Sequence, residues 1–388
     1  MGIKVADYIK KIDRDDISIH IPQEVLAENK DCSKGVLLFS HELSKTGAPI
    51  QMLELAVMLR DLGYQPLIFS LSEGDLIREY MDIGIPVICV AGTEVSVEWL
   101  DELVKEFDLI FINTLLMSDY VRYLANGSRR IFWWIHENSY LFDDYYCSNN
   151  PDISNFKILA ASEKVRNNIA KYMKRESDIL NVYIEDYGIS DRKSSDKITF
   201  LWAGTIDFNK APEIFIRAIL CLLEDYIDKA EFIIVGHSCK TSEFNELKEI
   251  LSYSIPNVRL INAVNHREFL NLMDTVDAVV ITSIEESTSV VAVEGLMKGK
   301  VVICSEGCGV TKYIKDGENG FVFPVRDFEK LSEKLKFVID NNENLNDLRC
   351  SGRSIYEKYY SFDIFRQKLK CLINDFEDKS CPPHSSSN

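Results

Sequence analysis

What this chain lacks narrows its chemistry before any motif is read. No apolar run approaches the roughly 20 residues that a membrane span needs, so the chain is not expected to cross a bilayer. Positive charge is scarce, with 44 Lys and Arg against 61 Asp and Glu and a net charge of −17. A nucleic-acid binder needs a basic face to neutralise phosphates, and this balance argues against one. The ten cysteines fall at irregular spacings and no apolar signal segment opens the chain. Reduced thiols in a cytoplasmic protein are therefore expected. Cys304 and Cys308 form a close pair with no second pair of ligands nearby, so packing is expected there and no metal site.

What is present is enough apolar material, 46% of 388 residues, to fill two cores. Strand-like and helix-like patterns alternate almost throughout, which predicts an α/β protein built on doubly wound parallel sheets. Strands are expected at 35–40, 65–70, 87–90, 109–113, 131–135 and 157–161, with an amphipathic helix at 50–62 that Gly63 ends. Ser162 has the position of an N-cap for a helix carrying Val165, Ile169, Tyr172 and Met173. A polar stretch at 186–196 reads as a linker. The pattern then restarts with strands at 198–203, 231–235, 258–261, 277–282 and 301–304. The expected division is an extension over 1–34, a first domain over 35–190, a second over 191–358, and a flexible tail over 377–388.

Two carboxylates stand out in residues 283–299. Glu286 and Glu294 are separated by seven residues and follow directly on the strand at 277–282. Val290, Val291, Val293, Leu296 and Met297 recur at helical spacing, so Glu286 falls in a loop and Glu294 on a helix. In an open parallel sheet the crevice beyond the carboxyl ends of the strands binds ligands, and a helix N-terminus there offers free N–H groups to an anion. Taken alone, the pair is also compatible with a solvated helix face.

The neighbouring motifs give the pair its context. After Ser283, Glu286, Glu294 and Gly299 come Gly307, Gly309 and the turn from Asp316 and Gly317 to Gly320. Upstream, a strand leads to Gly204 and Thr205 and then, across a short loop, to Lys210, while another strand ends at Gly236. In the first half a loop ends at Gly47 and an aromatic strand ends at His136. Together these resemble the motifs of the retaining, group 1 glycosyltransferases of the GT-B type, over most of residues 35–375. The resemblance implies two Rossmann-like domains facing a central cleft, with a last helix at 359–376 crossing back to the first domain. It also implies transfer of a sugar from a nucleotide-sugar donor to an acceptor with retention of configuration.

Site roles follow from that resemblance and from the chemistry of a departing diphosphate, which needs fixed donors near the phosphates. Lys210, the backbone at Gly47 and the helix N-terminus at Ser289 and Val290 would hold the diphosphate. Glu294 would accept from the ribose hydroxyls and Glu286 from hydroxyls of the transferred sugar. His136 would touch the donor sugar, and it is equally compatible with a plain core histidine. Gly204, Thr205 and Gly236 would line the donor site. No cofactor or metal is expected, and the leaving phosphate itself would take the acceptor's proton. Two departures stand out: Thr205 occupies the place of an arginine, and Ser287, Thr288 and Ser289 replace a Gly-Phe-Gly loop.

The expected acceptor is a glycan or a lipid-linked glycan, in surface polysaccharide or glycoconjugate synthesis. Lys164, Arg166, Lys171, Lys174 and Arg175 form a basic cluster that would suit peripheral contact with the inner face of a membrane, or merely a solvated helix face. Tyr140, Phe142, Tyr145 and Tyr146 would stack on acceptor sugars or pack a loop. The alternatives are a nucleotide-sugar epimerase and a non-catalytic partner subunit of the same fold.

Overall fold

The computed structural model describes residues 17–23, 34–91, 95–125, 129–145, 156–189, 197–222, 226–237, 249, 255 and 257–378. The expectations for most of the extension, for residues 190–196 of the linker, for Tyr146 and for the tail beyond 378 lie outside the described residues. The chain divides into two compact units, Met1–Tyr183 with Phe365–Asn388, and Ile184–Ile364.

The first unit is built on a sheet of strands β1 (Ser18–His20), β2 (Lys34–Ser40), β3 (Tyr64–Ser70), β4 (Val87–Cys89), β5 (Leu109–Asn113), β6 (Arg130–Ile135), β7 (Phe156–Ala160) and β8 (Asp178–Ile179). Their order is β1-β4-β3-β2-β5-β6-β7-β8. All pairings are parallel except β1 with β4. Parallel neighbours need a crossover, and the helix Gly47–Asp61 supplies the one from β2 to β3. Because helices cover both faces, the strands read as continuous apolar runs. Leu37 and Phe39 enter one cluster while Val36 and Leu38 enter the other.

Ser162 caps its helix as expected, its side chain accepting from the Val165 amide. Beyond Asn168 the expected regular helix gives way to a π-helical turn, Ile169–Met173, which Lys174 ends in the left-handed region at φ 55°. The final helix starts later than the sequence suggested. Tyr359 closes the preceding helix, Asn346–Tyr359, where its ring stacks on Tyr313 at 3.9 Å, and the last helix runs Phe362–Asp378. Phe365, Leu369, Leu372 and Ile373 form a stripe at helical spacing that is buried in the first unit.

The second unit carries β9 (Ile198–Thr205), β10 (Ala230–His237), β11 (Val258–Asn262), β12 (Ala278–Ile281), β13 (Val301–Ser305) and β14 (Phe321–Phe323). They pair in parallel in the order β11-β10-β9-β12-β13-β14. The order therefore reverses between β9 and β12. Connections leave the sheet in opposite directions there, which opens a crevice at the carboxyl ends of these two strands. Among the described residues, no helix is long and apolar enough to cross a membrane.

Candidate functional site

The loops that follow β9 and β12 meet at this reversal. Asn209 stitches them together: its Nδ2 donates to the Glu285 carbonyl at 2.9 Å, its Oδ1 accepts from the Glu285 amide at 3.1 Å, and its own carbonyl accepts from the Ile284 amide at 2.7 Å. One residue on, the Lys210 carbonyl accepts from Thr282 Oγ1 at 2.7 Å, and that hydroxyl accepts from Trp202 Nε1 at 2.8 Å. Both loops are thus anchored to the sheet core before any functional side chain is placed.

On this frame Lys210 Nζ donates to Glu286 Oε1 at 2.6 Å, and Ser283 Oγ donates to the same oxygen. The lysine side chain is 31% exposed and the glutamate 12%. Burial works against the ammonium charge, but the charge and hydrogen bond of Glu286 outweigh it and hold Lys210 above its ordinary range. Glu286 is fixed by its backbone as well, its amide donating to the Gly307 carbonyl at 3.0 Å and its carbonyl accepting from Gly309 at 3.0 Å. Gly307 has to be glycine, because a Cβ there would overlap the Ile284 carbonyl.

The helix Val290–Met297 starts at the same end of the sheet. Ser289, its N-cap, sits at φ 81°, a left-handed conformation that a glycine would adopt at little cost. The Ser-Thr-Ser loop therefore keeps the glycine-like bend that its composition left in question. Ser289 makes no capping bond with its side chain, so the first-turn N–H groups are not satisfied from within the cap. Gly295 lets the helix approach Val279 and Val302 on the sheet, and this closeness seats the adjacent Glu294 at 3% exposure. Glu294 Oε1 lies 2.6 Å from His266 Nε2.

Gly204, Thr205 and Gly236 lie at the ends of β9 and β10, where Gly236 pairs with Gly204. A Cβ on Gly236 would overlap the Gly204 carbonyl, so its absence is a packing requirement whatever else the position does. Gly47 and His136 belong to the first unit. A Cβ at Gly47 would meet nothing within 4 Å. His136 stands beside Trp134, ring centroids 4.4 Å apart, with its Nε2 buried and without a hydrogen-bond partner among the described residues. Burial, with His41 nearby, pushes its imidazole down to about 3. Next to it Glu137 accepts from the His136 amide at 3.0 Å, and burial pushes its carboxyl up to about 7. His41 in turn lies 3.4 Å from Thr114 Oγ1 and 3.5 Å from Glu42 Oε1.

The structure thus brings Lys210, Ser283 and Glu286 into one cluster, and on the helix that follows it places Ser289 and Val290 at the start and Glu294 about one turn further on. Asn209, His266 and His41 are polar residues at these places that the motifs did not single out. Within the basic cluster, Arg166 is paired with Glu163 and Lys171 Nζ donates to Tyr172 Oη at 3.0 Å, so part of that charge is engaged locally.

Comparison with known proteins gives this arrangement a family. A family model described as glycosyl transferases group 1 matches residues 186–354, and one described as glycosyl-transferase family 4 matches residues 32–181. The second unit thus matches the group 1 glycosyltransferases and the first matches the family 4 model. The chain is 26% identical over 160 residues to the D-inositol 3-phosphate glycosyltransferase of Paenarthrobacter aurescens, a stretch covering 39% of the chain and 38% of the relative. With the capsular polysaccharide biosynthesis glycosyltransferase CapM of Staphylococcus aureus it shares 22% identity over 150 residues, 39% of each chain. The match thus spans about two fifths of the length of these curated relatives. Among solved structures, Anabaena HepE in complex with UDP-glucose superposes with a TM-score of 0.75 at 16% identity, over 88% of this chain and 100% of that one. Sucrose-phosphate synthase from Thermosynechococcus elongatus gives 0.70 at 14% identity, over 90% and 100%. At these identities the likeness establishes the GT-B fold alone.

Proposed function

We propose that this chain is a retaining glycosyltransferase that moves a sugar from a nucleotide-sugar donor to an acceptor hydroxyl. The observation that carries the reading is the Lys210–Glu286–Ser283 cluster at the reversal of the sheet, beside an uncapped helix start and a buried Glu294. In this reading Lys210 and the first-turn N–H groups at Ser289 and Val290 take the diphosphate. Lys210 exchanges its Glu286 partner, in whole or in part, for phosphate oxygen, and Glu286 is released to accept from sugar hydroxyls. Glu294 accepts from the ribose diol. Gly47, Gly204, Thr205, Gly236 and His136 are proposed donor contacts on the motif match alone.

In the reaction the bond from the sugar anomeric carbon to the phosphate oxygen breaks, and a bond to the acceptor oxygen forms on the same face. The acceptor's proton passes to the departing phosphate oxygen. Preorganised positive charge stabilises that oxygen as negative charge develops on it. Lys210 is the cation placed to do so, which makes the proposal independent of a metal ion.

The UDP-glucose named with HepE supports a nucleotide-sugar donor, and the naming of CapM supports a role in polysaccharide synthesis with a glycan or lipid-linked acceptor. We place the protein in the cytoplasm, peripheral to the membrane where a lipid-linked acceptor would be met. The test is thermal stabilisation by UDP-, GDP- and ADP-sugars, since a ligand at 100 times its Kd stabilises by about 2.7 kcal/mol, combined with slow donor hydrolysis by the purified chain. Stabilisation without any donor turnover, with or without candidate acceptors, would favour a non-catalytic subunit. Two observations point that way: Thr205 in place of an arginine, and Glu286 already neutralising Lys210.

A further inference from the structure

Glu294 is nearly sealed from solvent, and a carboxylate so placed is costly unless donors meet it. Oε1 is met by His266 Nε2 at 2.6 Å, while Oε2 has no hydrogen-bond partner among the described residues. The contact comes from another element altogether. His266 is the first residue of the helix His266–Asp274, and the reciprocal capping bonds between Asn265 and Glu268 fix the backbone there.

The imidazole has a second neighbour. Tyr187 meets it edge-on, with centroids 5.9 Å apart at 76°, and Tyr187 Oη donates to Glu185 at 2.6 Å. Lys298 Nζ donates to the Tyr187 carbonyl at 3.3 Å and lies 2.9 Å from Asp274 Oδ1. His266 thus contacts both Glu294 and Tyr187 although 57% of its side chain is exposed.

We propose that His266 is a positioning residue of the nucleotide-sugar site: it holds Glu294 by one oxygen, leaving the other for a vicinal diol, and its charge sets the strength of donor binding. The proposal rests on the reading of Glu294 as the diol acceptor. The charged groups around the imidazole are Glu294 on the helix Val290–Met297, Glu185 in the segment 184–189 and Lys298 beyond Tyr187; Glu268 on its own helix is committed to the cap. The Glu294 hydrogen bond raises the imidazole above its ordinary 6.5, burial opposes this, and the charges of Glu294 and Glu185 add to the rise. A protonated His266 cancels the charge of Glu294 beside an incoming diphosphate dianion. Deprotonation removes that cancellation, so donor affinity declines as pH rises through the His266 transition.

The experiment is calorimetric titration from pH 6 to pH 9 with UDP-glucose, or with GDP- or ADP-glucose if one of these stabilises the chain more. The diphosphate of a nucleotide sugar is a diester that exchanges no proton across this range, and ionisation of the base toward its upper end is common to wild type and every variant, so the difference in slope between them reports on His266. Wild type is expected to weaken severalfold across the range. His266→Gln, which keeps a donor but no charge, should lose the slope and bind like wild type at high pH. His266→Phe should bind about tenfold more weakly than His266→Gln. Independently of any ligand, the His266 imidazole followed by NMR should titrate above 6.5 in wild type and lower in Glu294→Gln.

A pH slope retained in His266→Gln, or wild-type affinity in His266→Phe, overturns the proposal. If Glu294→Gln weakens the donor while His266→Phe does not, the function stands and only the role of His266 falls. If Glu294→Gln binds as wild type does, or no nucleotide-sugar binds at all, the functional reading fails and this one fails with it.

Discussion

Replacing Lys210 by methionine separates the structural and chemical duties of the cation. Methionine keeps the aliphatic stem that lies against Gly204, 3.5 Å from a Cβ built there, and removes only the ammonium. Glu286, 12% exposed, is then left with Ser283 as its remaining side-chain donor among the described residues. An exposed pair is worth about 0–1 kcal/mol, and breaking a buried one costs about 3–5 kcal/mol. The intermediate exposure of this pair puts the loss at about 2 kcal/mol, or about 4–8 °C in Tm for a unit of this size. Most of that loss comes from the uncompensated carboxylate, so Lys210→Met combined with Glu286→Gln should recover more than half of it. Turnover should behave differently. Loss of one preorganised donor to the leaving group lowers kcat by about 100- to 1000-fold, and the second substitution cannot restore it. The assay is release of free nucleotide at saturating donor, at a temperature where calorimetry shows every variant folded. A Lys210→Met enzyme within threefold of wild-type turnover would refute the assignment of Lys210 to the diphosphate.

Thr205→Arg places a permanently charged fork at the end of β9 and should raise turnover where Lys210 acts alone; an unchanged or lower rate with intact folding would show that the site does not lack a second cation. Asn209→Ala removes both side-chain bonds between the two loops, which should cost about 2 kcal/mol by thermal unfolding and lower turnover although Lys210 is untouched. Full turnover in Asn209→Ala would mean that the stitch does not position the cation. Ser289→Gly relieves a left-handed serine worth about 1–3 kcal/mol against about 0.5–1 kcal/mol of added chain entropy, so Tm should rise; a fall would show that the serine side chain contributes more than its backbone costs. Glu137, with its carboxyl at about 7 when folded against 4.5 when free, retains a proton on folding between these values. Stability from this group is therefore lost as pH rises from about 4.5 to 7, by at most about 1.4 kcal/mol per pH unit. The stability difference between wild type and Glu137→Gln, in which the opposing contribution of His136 cancels, should follow that slope in urea titrations, and a flat difference would contradict it.

The parts of this molecule that were legible in the sequence are those set by neighbours along the chain. The strands from β2 to β7 and from β9 to β13 show as apolar runs because both sheet faces are covered, and Ser162 could be placed as a cap because the bond it makes spans three residues. Glu286 in a loop and Glu294 on the following helix are consequences of one strand-loop-helix unit. What escaped notice is either too short or too distant. β1 has three residues and an edge pairing to β4, which leaves almost no period to detect. The start of the last helix could not be placed because the apolar spacing runs on through the break at residues 360–361, where tertiary packing of Tyr359 on Tyr313 ends one helix and starts the next.

The site divides along the same line. Lys210 and Glu286 are 76 residues apart, and only a family motif joins them at the level of sequence; the structure shows the reason, which is that β9 and β12 are neighbours and their loops leave at the reversal of strand order. Asn209 carries no motif, yet it makes the bonds that convert adjacency of two loops into a fixed distance between two side chains. His266 is separated from Glu294 by strand β12 and reaches it only because helices His266–Asp274 and Val290–Met297 begin at the same end of the sheet. A carboxylate seated that deeply needs a donor from somewhere. The burial of Glu294 therefore calls for a partner outside its own helix, and only the folded chain identifies it as His266.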